Sequence, residues 1–207
     1  MILRRIFFGL LFFAVTFLSA ATQPAKDSGI GSEVPDFSLR DVNGKIHNLI
    51  DYKGKFVVLE WTNFDCPFVK KHYGSGNMQK LQKEFTEKGV IWLSICSSAP
   101  GKQGNFDAAE IKKRIIDSKA NMSEYLIDEE GMVGKLFGAR TTPHLFIINP
   151  DGKLIYQGGI DDTKSTNPAD IPNSKNFVKA ALDESLSGKP VTISTTQPYG
   201  CPVKYND

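Results

Sequence analysis

Three cysteines in 207 residues are too few for a small fold held together by disulfide bonds. The chain has 25 basic and 23 acidic residues, and the two counts become equal once Arg4 and Arg5 are removed with the leader described below. That balance gives no electrostatic case for nucleic acid or an anionic membrane as a partner. The remaining length suits one domain.

The N-terminus has the order of regions of a signal peptide. Arg4 and Arg5 precede an apolar run at residues 6–18, and small residues follow. The run has thirteen residues, whereas a membrane-spanning helix needs ~20. We therefore expect residues 1–21 to be cleaved, residues 22–32 to be a linker, and the protein to be exported, periplasmic or secreted, without a stable membrane anchor.

A β-hairpin is predicted to open the domain. Two short strands flank Asn43-Gly44, a pair that favours a tight hairpin turn. Residues 56–61 are β-branched, aromatic and almost continuously apolar, as expected of a buried strand. This strand runs into Cys66-Pro67, and a helical pattern follows. Cys66 is thus predicted at a strand-to-helix junction.

Strands and helices alternate through the next part of the chain. Residues 90–95 form a second predicted buried strand, and Asp107 is placed to cap a helix. A short strand at residues 125–127 precedes a further helix at about residues 129–137. This alternation is typical of a mainly parallel sheet.

The pattern changes after Thr142-Pro143. Residues 145–148 and 153–156 flank an Asn-Pro-Asp-Gly turn, which predicts an antiparallel hairpin. A last helix follows, and the tail at residues 188–207 has no clear periodicity. The predicted fold class is therefore α/β, with a central mixed β-sheet flanked by helices.

The order of elements resembles the thioredoxin fold of the redoxin superfamily over residues 33–187, which we take as the domain. More closely, the chain is similar to exported peroxiredoxin-like proteins of the AhpC/TSA type. Four segments carry that closer likeness, at residues 61–69, 97–104, 142–143 and 199–201.

Two departures from the related families are visible in the sequence. Cys66 stands at the first position of the thioredoxin Cys-x-x-Cys turn, but Val69 occupies the second, so dithiol exchange within the turn is impossible. In true peroxiredoxins the pattern is Pro-x-x-x-Thr-x-x-Cys, whereas Thr62 precedes Cys66 by four residues and the proline is absent.

Cys66 is the candidate nucleophile. At a helix N-terminus it would face unsatisfied N–H groups and the positive end of the helix dipole, which stabilise a thiolate over a thiol. Lys70, Lys71 and His72 follow within two turns and could add positive potential, although a solvated basic face is the expected role of the two lysines.

The resemblance implies further roles around the nucleophile. Pro143 is similar to the cis-proline that faces the reactive turn, and the backbone before it pairs with an extended substrate in the family. Pro67, Thr142 and Pro143 are therefore the expected substrate-binding residues. Cys201, in a tail flanked by Gly and Pro, could return to Cys66 as a resolving thiol, with a structural disulfide or an exposed tail thiol as the alternatives.

Three functions remain open at this point. The leading one is an exported thiol-based oxidoreductase that uses Cys66, with protein thiols and disulfides or small peroxides and an electron-donor redox protein as partners. The others are a non-catalytic thioredoxin-fold binding module and copper handling by Cys66 and His72, which is disfavoured because a soft metal usually takes more than one thiolate. Cys96 ends an apolar strand and is expected to be a packed hydrophobic residue.

The sequence carries no motif for a bound cofactor. No Gly-x-Gly-x-x-Gly follows a predicted strand, and no Cys-x-x-Cys-His is present. We therefore expect no nucleotide, flavin, haem or metal cofactor.

Overall fold

The computed structural model describes residues 29–206. The predicted signal peptide and the linker as far as residue 28 lie outside the described residues. Within residues 29–206, no helix combines the length and the apolar character needed to cross a membrane.

Strands form the centre of the fold. The described residues contain nine of them, listed in chain order: β1 (Ser38–Asp41), β2 (Ile46–Asn48), β3 (Val57–Trp61), β4 (Ile91–Cys96), β5 (Glu124–Ile127), β6 (Thr141–Thr142), β7 (His144–Ile148), β8 (Leu154–Gly158) and β9 (Cys201–Pro202).

Helices cover the strands. The five α-helices of the described chain are α1 (Pro67–Gly74), α2 (Asn77–Thr86), α3 (Ala108–Asp117), α4 (Met132–Phe137) and α5 (Phe177–Leu186). Two 3-10 helices lie at Leu49–Tyr52 and Pro168–Asn173.

Seven strands make one mixed sheet in the order β2-β1-β5-β4-β3-β7-β8, and β6 pairs with β9 in a separate two-stranded sheet. The predicted α/β class, mixed sheet and N-terminal hairpin are confirmed. The expectation of a mainly parallel sheet holds only at the centre, where β4 pairs in parallel with both β3 and β5. The outer pairings are antiparallel. β1 with β2 and β7 with β8 are hairpins, whereas β1 with β5 and β3 with β7 join strands that are distant in the chain.

The helical pattern after Cys66 forms two helices rather than one. The chain turns at Ser75 and Gly76, and Gly76 has a φ of 78°, a left-handed conformation that glycine adopts without steric cost. Helix α1 therefore ends at Gly74, and α2 begins at Asn77. The predicted cap of α3 is confirmed, since the Asp107 carboxylate accepts a hydrogen bond from the Glu110 N–H at 2.8 Å.

Two apolar clusters lie on the two faces of the sheet. Side chains alternate across a strand, so Val58 and Trp92 join the cluster that packs against α1, α2 and α5, while Leu59 and Leu93 join the other. Cys66 belongs to the first cluster. The turn that carries Cys66 is thus built on the face covered by α1, α2 and α5.

Candidate active site

Cys66 lies where the sequence placed it, between the end of β3 and the start of α1. Its backbone N–H donates to the Asn63 carbonyl, and Pro67, which is exposed, is the first residue of the helix. The Cys66 side chain is fully buried. Its Sγ donates a hydrogen bond to the carbonyl oxygen of Thr142 at 3.0 Å.

The Thr142–Pro143 peptide bond is cis, and it faces the Cys66 turn. The structure therefore brings together Cys66 and two of the three residues expected to bind substrate, Thr142 and Pro143. Pro67 lies next to Cys66 in the chain and is exposed at the helix start.

Cys201 also reaches the site. In the pairing of β6 with β9, Cys201 lies opposite Thr142 and Pro202 lies opposite Thr141. The sequence suggested a mobile tail, but this part of the tail forms a strand on the edge beside the cis-proline. All three cysteines of the described chain are free thiols.

The pKa values of the Cys66 and Cys201 thiols are shifted in opposite directions. Burial alone raises the pKa of Cys66, but hydrogen bonds from the Cys201 thiol and the Thr142 hydroxyl, together with the backbone N–H groups of Val69 and Cys201, lower its pKa overall. Burial, the hydrogen bond to Cys66 and the negative charge of the Cys66 thiolate raise the pKa of Cys201. Cys66 is therefore the more acidic thiol of the pair.

The Thr142 hydroxyl is a buried hydrogen-bond donor beside the Cys66 sulfur. While Cys66 is a thiol, this hydroxyl is buried with no hydrogen-bond partner among residues 29–206. Loss of the thiol proton makes the Cys66 sulfur a much stronger acceptor, and the hydrogen bond from the Thr142 side chain lowers the pKa of Cys66.

The two lysines of α1 have different surroundings. Lys70 is exposed and lies 3.8 Å from an Asp65 carboxylate oxygen, as expected of a solvated basic residue. Lys71 is buried, which overturns that expectation for it: its Nζ donates to the Thr163 carbonyl at 3.0 Å and lies 3.6 Å from Asp161 Oδ2.

Tyr199 from the tail completes this buried cluster. Its hydroxyl donates a short hydrogen bond to Asp161 Oδ1 and lies 3.3 Å from His72 Nε2. The Lys71 ammonium lies 5.8 Å from the centre of the Tyr199 ring. Sequence analysis noted Tyr199 only as part of a motif and did not single out Asp161, because no local pattern links residues 38 positions apart.

Glu60 is a buried carboxylate that the sequence analysis missed. Its oxygens accept hydrogen bonds from Tyr73, Gln82, Trp92 and Ser94, and burial raises its pKa. The available signal was a charged residue inside an otherwise apolar strand. Its bonds tie β3 and β4 to the helices that follow the Cys66 turn.

A metal site made of Cys66 and His72 does not fit the contacts of the imidazole. His72 Nδ1 lies 2.9 Å from Asn77 Nδ2, and Nε2 lies against the Tyr199 hydroxyl. Both ring nitrogens are thus engaged, and the copper hypothesis loses its second ligand.

Ligand-type atoms also gather at Asp41, His47 and Glu124, within 4.8 Å of one another. His47 uses one ring nitrogen on Asp41, at 3.1 Å, and the other on the Tyr52 hydroxyl, at 2.7 Å. Both ring nitrogens of His47 are thus engaged, so the imidazole offers no free nitrogen to a metal ion.

The protein shows sequence and structural similarity to known redox proteins. A sequence model of the AhpC/TSA family matches residues 30–157. The thiol-disulfide oxidoreductase ResA of Bacillus thuringiensis subsp. konkukian is 29% identical over 136 residues, which are 65% of this chain and 72% of that protein. Glutathione peroxidase 1 of Caenorhabditis elegans is 25% identical over 173 residues, 75% of this chain and 99% of that protein. A solved structure of a conserved protein from Geobacillus kaustophilus has a TM-score of 0.75 and 27% identity, covering 86% of this chain and 93% of the other.

The matched region contains Cys66, Thr142 and Pro143, whereas Cys201 lies beyond it. The resemblance to thioredoxin-fold redoxins and the broad class of thiol-based oxidoreductase are confirmed by these findings. Since the family model spans more than half of the residues, the chain belongs to the AhpC/TSA family.

Proposed function

We propose that the protein is an exported thiol-disulfide oxidoreductase in which Cys66 is the nucleophile and Cys201 is the resolving thiol. One observation carries the proposal: the β6–β9 pairing sets Cys201 opposite Thr142, whose carbonyl oxygen is 3.0 Å from Cys66 Sγ. The lowered pKa of Cys66 and the raised pKa of Cys201 give the two thiols different tasks.

The reaction follows from that division. The Cys66 thiolate attacks one sulfur of a substrate disulfide, forms a mixed disulfide and displaces the other substrate sulfur as a thiolate. The Cys201 thiol gives up its proton to that leaving thiolate and attacks the Cys66 sulfur, which breaks the mixed disulfide. The second substrate sulfur leaves as a thiolate and takes from solvent the proton that Cys66 had released on ionising. The products are a Cys66–Cys201 disulfide and two substrate thiols, so two electrons pass to the substrate. A dithiol protein acting as electron donor restores the reduced pair.

Peroxide reduction is a second candidate, and the similarity to Glutathione peroxidase 1 favours it. The Cys66 thiolate would attack one peroxide oxygen, leaving a sulfenic acid on Cys66 and water or an alcohol as product. Cys201 would then condense with the sulfenic acid and release water. Both reactions end in the same Cys66–Cys201 disulfide.

Substrate binding is proposed at Pro67, Thr142 and Pro143. The exposed Pro67 borders the turn of Cys66, and the backbone of Thr142 offers a strand edge beside the thiol. The signal-peptide pattern of residues 1–21 supports export, although it lies outside the described residues.

Differential thiol alkylation with mass spectrometry on protein recovered from its host tests the proposal. We expect a brief treatment with oxidised glutathione or hydrogen peroxide to convert Cys66 and Cys201 into a linked pair and to leave Cys96 free. The faster oxidant identifies the preferred reaction. The spectrum also gives the mature N-terminus, expected at Thr22. A Cys96→Ser variant is the matched control and should link equally well; two free thiols at 66 and 201 after oxidation would contradict the proposal.

A further inference from the structure

The edge proposed for an extended substrate is occupied by the protein's own chain. Beyond β9 the pairing with the segment before the cis-proline continues, because the Val203 N–H donates to the Arg140 carbonyl at 3.0 Å. The next residue, Lys204, contacts the loop after β4: its carbonyl accepts a hydrogen bond from the Ala99 N–H at 2.8 Å. We call residues 199–205 the docked tail. It runs along β6 on the N-terminal side of the cis-proline and reaches the backbone of Ala99.

Both ends of the docked tail are anchored by tyrosines. Tyr199 inserts among Lys71, His72 and Asp161, all of which are buried. At the other end the Tyr205 hydroxyl donates to the Ala139 carbonyl at 2.8 Å, and its ring lies over the start of α4. The tail is therefore held along its length and not by the cysteine alone.

Gly200 lets the tail approach the cis-proline. Its φ is 147°, and a Cβ there would overlap the Thr142 carbonyl oxygen and lie 2.6 Å from the Thr142 carbonyl carbon. Only glycine fits this backbone conformation and this spacing together. An alanine at this position would push the tail off the edge without altering a thiol.

The docked tail also covers the nucleophile. Cys66 has no exposed surface, while Cys201 is partly exposed. A small oxidant needs only a local opening around Gly200 and Cys201, because short segments open more readily than whole elements. An extended polypeptide needs the whole edge, and it competes with a tethered strand whose effective concentration is on the order of mM.

We propose, on the basis of the function proposed above, that the docked tail is an internal strand that selects substrates: it excludes extended polypeptide disulfides from the Thr141–Thr142 edge and admits small disulfides and hydroperoxides. Gly200 and Tyr199 are the positioning residues of this device. They act through the placement of the tail and not by contact with the reacting sulfur.

Two probes that release the same chromophore test the selection. One is 5,5′-dithiobis(2-nitrobenzoate), and the other is a ten-residue peptide whose single cysteine carries thionitrobenzoate. Each rate with the reduced mature protein is divided by the rate of reduced glutathione with the same probe. The wild type should prefer the small probe, and Gly200→Ala should raise the normalised peptide-to-small-probe ratio at least about tenfold, the scale expected when a tethered competitor is removed.

Gly188→Ala is the matched control. Like Gly200, Gly188 has a positive φ, of 73°, but it lies before the docked tail. A Cβ at Gly188 would meet no atom of the described residues within 4 Å. Its ratio should equal that of the wild type. Tyr199→Phe is the second variant if Gly200→Ala does not fold. It removes the hydroxyl bonded to Asp161, and it should move the ratio in the same direction by a smaller factor.

An unchanged ratio in a folded Gly200→Ala variant would overturn the selection. Failure of the proposed function looks different, because Cys66→Ser would then release the chromophore at the wild-type rate, through the partly exposed Cys201 thiol. In that case the rate of Cys66 carboxamidomethylation, relative to the unfolded chain, decides about the tail. Protection in the wild type that is lost in Gly200→Ala supports the docked cover, and equal protection in both refutes it.

Discussion

Cys66 and Cys96 occupy similar places in the fold and have different surroundings. Both are buried near the carboxyl ends of neighbouring parallel strands, β3 and β4. Cys66 Sγ faces the Thr142 carbonyl and the Cys201 thiol. Cys96 Sγ donates to the Gly104 carbonyl at 3.4 Å and packs in the core, as the sequence predicted. Burial alone therefore does not set the two thiols apart; the hydrogen-bond donors around Cys66 Sγ do.

The backbone around each sulfur explains the contrast. β3 passes through a short loop into α1, so Cys66 becomes the residue before the first helical turn and has the N–H of Val69 nearby. β4 runs instead into the loop that follows Ser97, and no helix begins until Ala108. Only one of the two strands thus delivers a sulfur to a helix N-terminus.

The largest expected effect separates the two cysteines directly. Cys66→Ser should lower the rate of disulfide exchange at least about 10³-fold, since a serine hydroxyl is not deprotonated near neutral pH and cannot replace the thiolate. Cys96→Ser should keep the rate within about twofold, because its thiol only packs and donates to oxygen atoms. Steady-state assays on both variants, with thermal unfolding to confirm folding, make the comparison. Equal loss in both would mean that Cys66 is no more special than Cys96.

A second effect depends on His72 and His144, two histidines whose pKa values are lowered by burial. Burial lowers the pKa of His72. The Asp161 charge raises it and the Lys71 charge lowers it, and the resulting pKa is about 4. Burial and then the Arg140 charge lower the pKa of His144 to about 3. Below about pH 6.5 these histidines are therefore protonated in the unfolded chain but stay neutral in the folded one. Their contribution to the free energy of unfolding is retained above pH 6.5 and is lost as the pH falls toward 4.

Each histidine should cost up to about 1.4 kcal/mol of unfolding free energy per pH unit in that range. Urea unfolding at pH 7, 6 and 5 measures the slope. A His144→Gln variant should show roughly half the slope of the wild type, because one of the two histidines with a lowered pKa is gone. A free energy of unfolding that stays flat from pH 7 to pH 5 would contradict the burial of neutral imidazoles around the site.

Local signals were sufficient for most of the fold. The turn at Asn43-Gly44, the cap at Asp107 and the junction at Cys66 each depend on a few adjacent residues, and each is present in the structure. The parallel centre and the antiparallel edges followed from the order of elements. The domain limits at residues 33 and 187 stay predictions.

The site depends more on contacts between distant residues. Lys71 was expected in solvent because no residue near it in the chain indicates its buried ion pair with Asp161. The strand β9 has only two residues and no periodicity, so its pairing with β6 could not be anticipated. Pairings of this kind are fixed by three-dimensional packing, and a tail of irregular sequence gives no periodic pattern from which to predict them.

The smallest expected effect concerns the link between Cys201 and Cys66, which Cys96 lacks. In Cys201→Ala the hydrogen bond from the Cys201 thiol disappears, so the pKa of Cys66 should rise. A hydrogen bond to a charged group contributes ~1.5 kcal/mol or more. Its loss should therefore lower the fraction of Cys66 thiolate at pH 7 by a factor on the order of ten. The pH profile of Cys66 alkylation, followed by mass spectrometry, measures this change.

Two matched variants make that last measurement specific. Cys201→Ser offers a hydroxyl donor in the same place and should restore most of the thiolate, whereas Cys96→Ala should leave the profile of Cys66 unchanged. If Cys201→Ala and Cys201→Ser both gave the wild-type profile, the donor that stabilises the thiolate would have to be the Thr142 hydroxyl or a backbone N–H. Cys201 would then act only after the first attack, as a resolving thiol, and would have no part in activating Cys66.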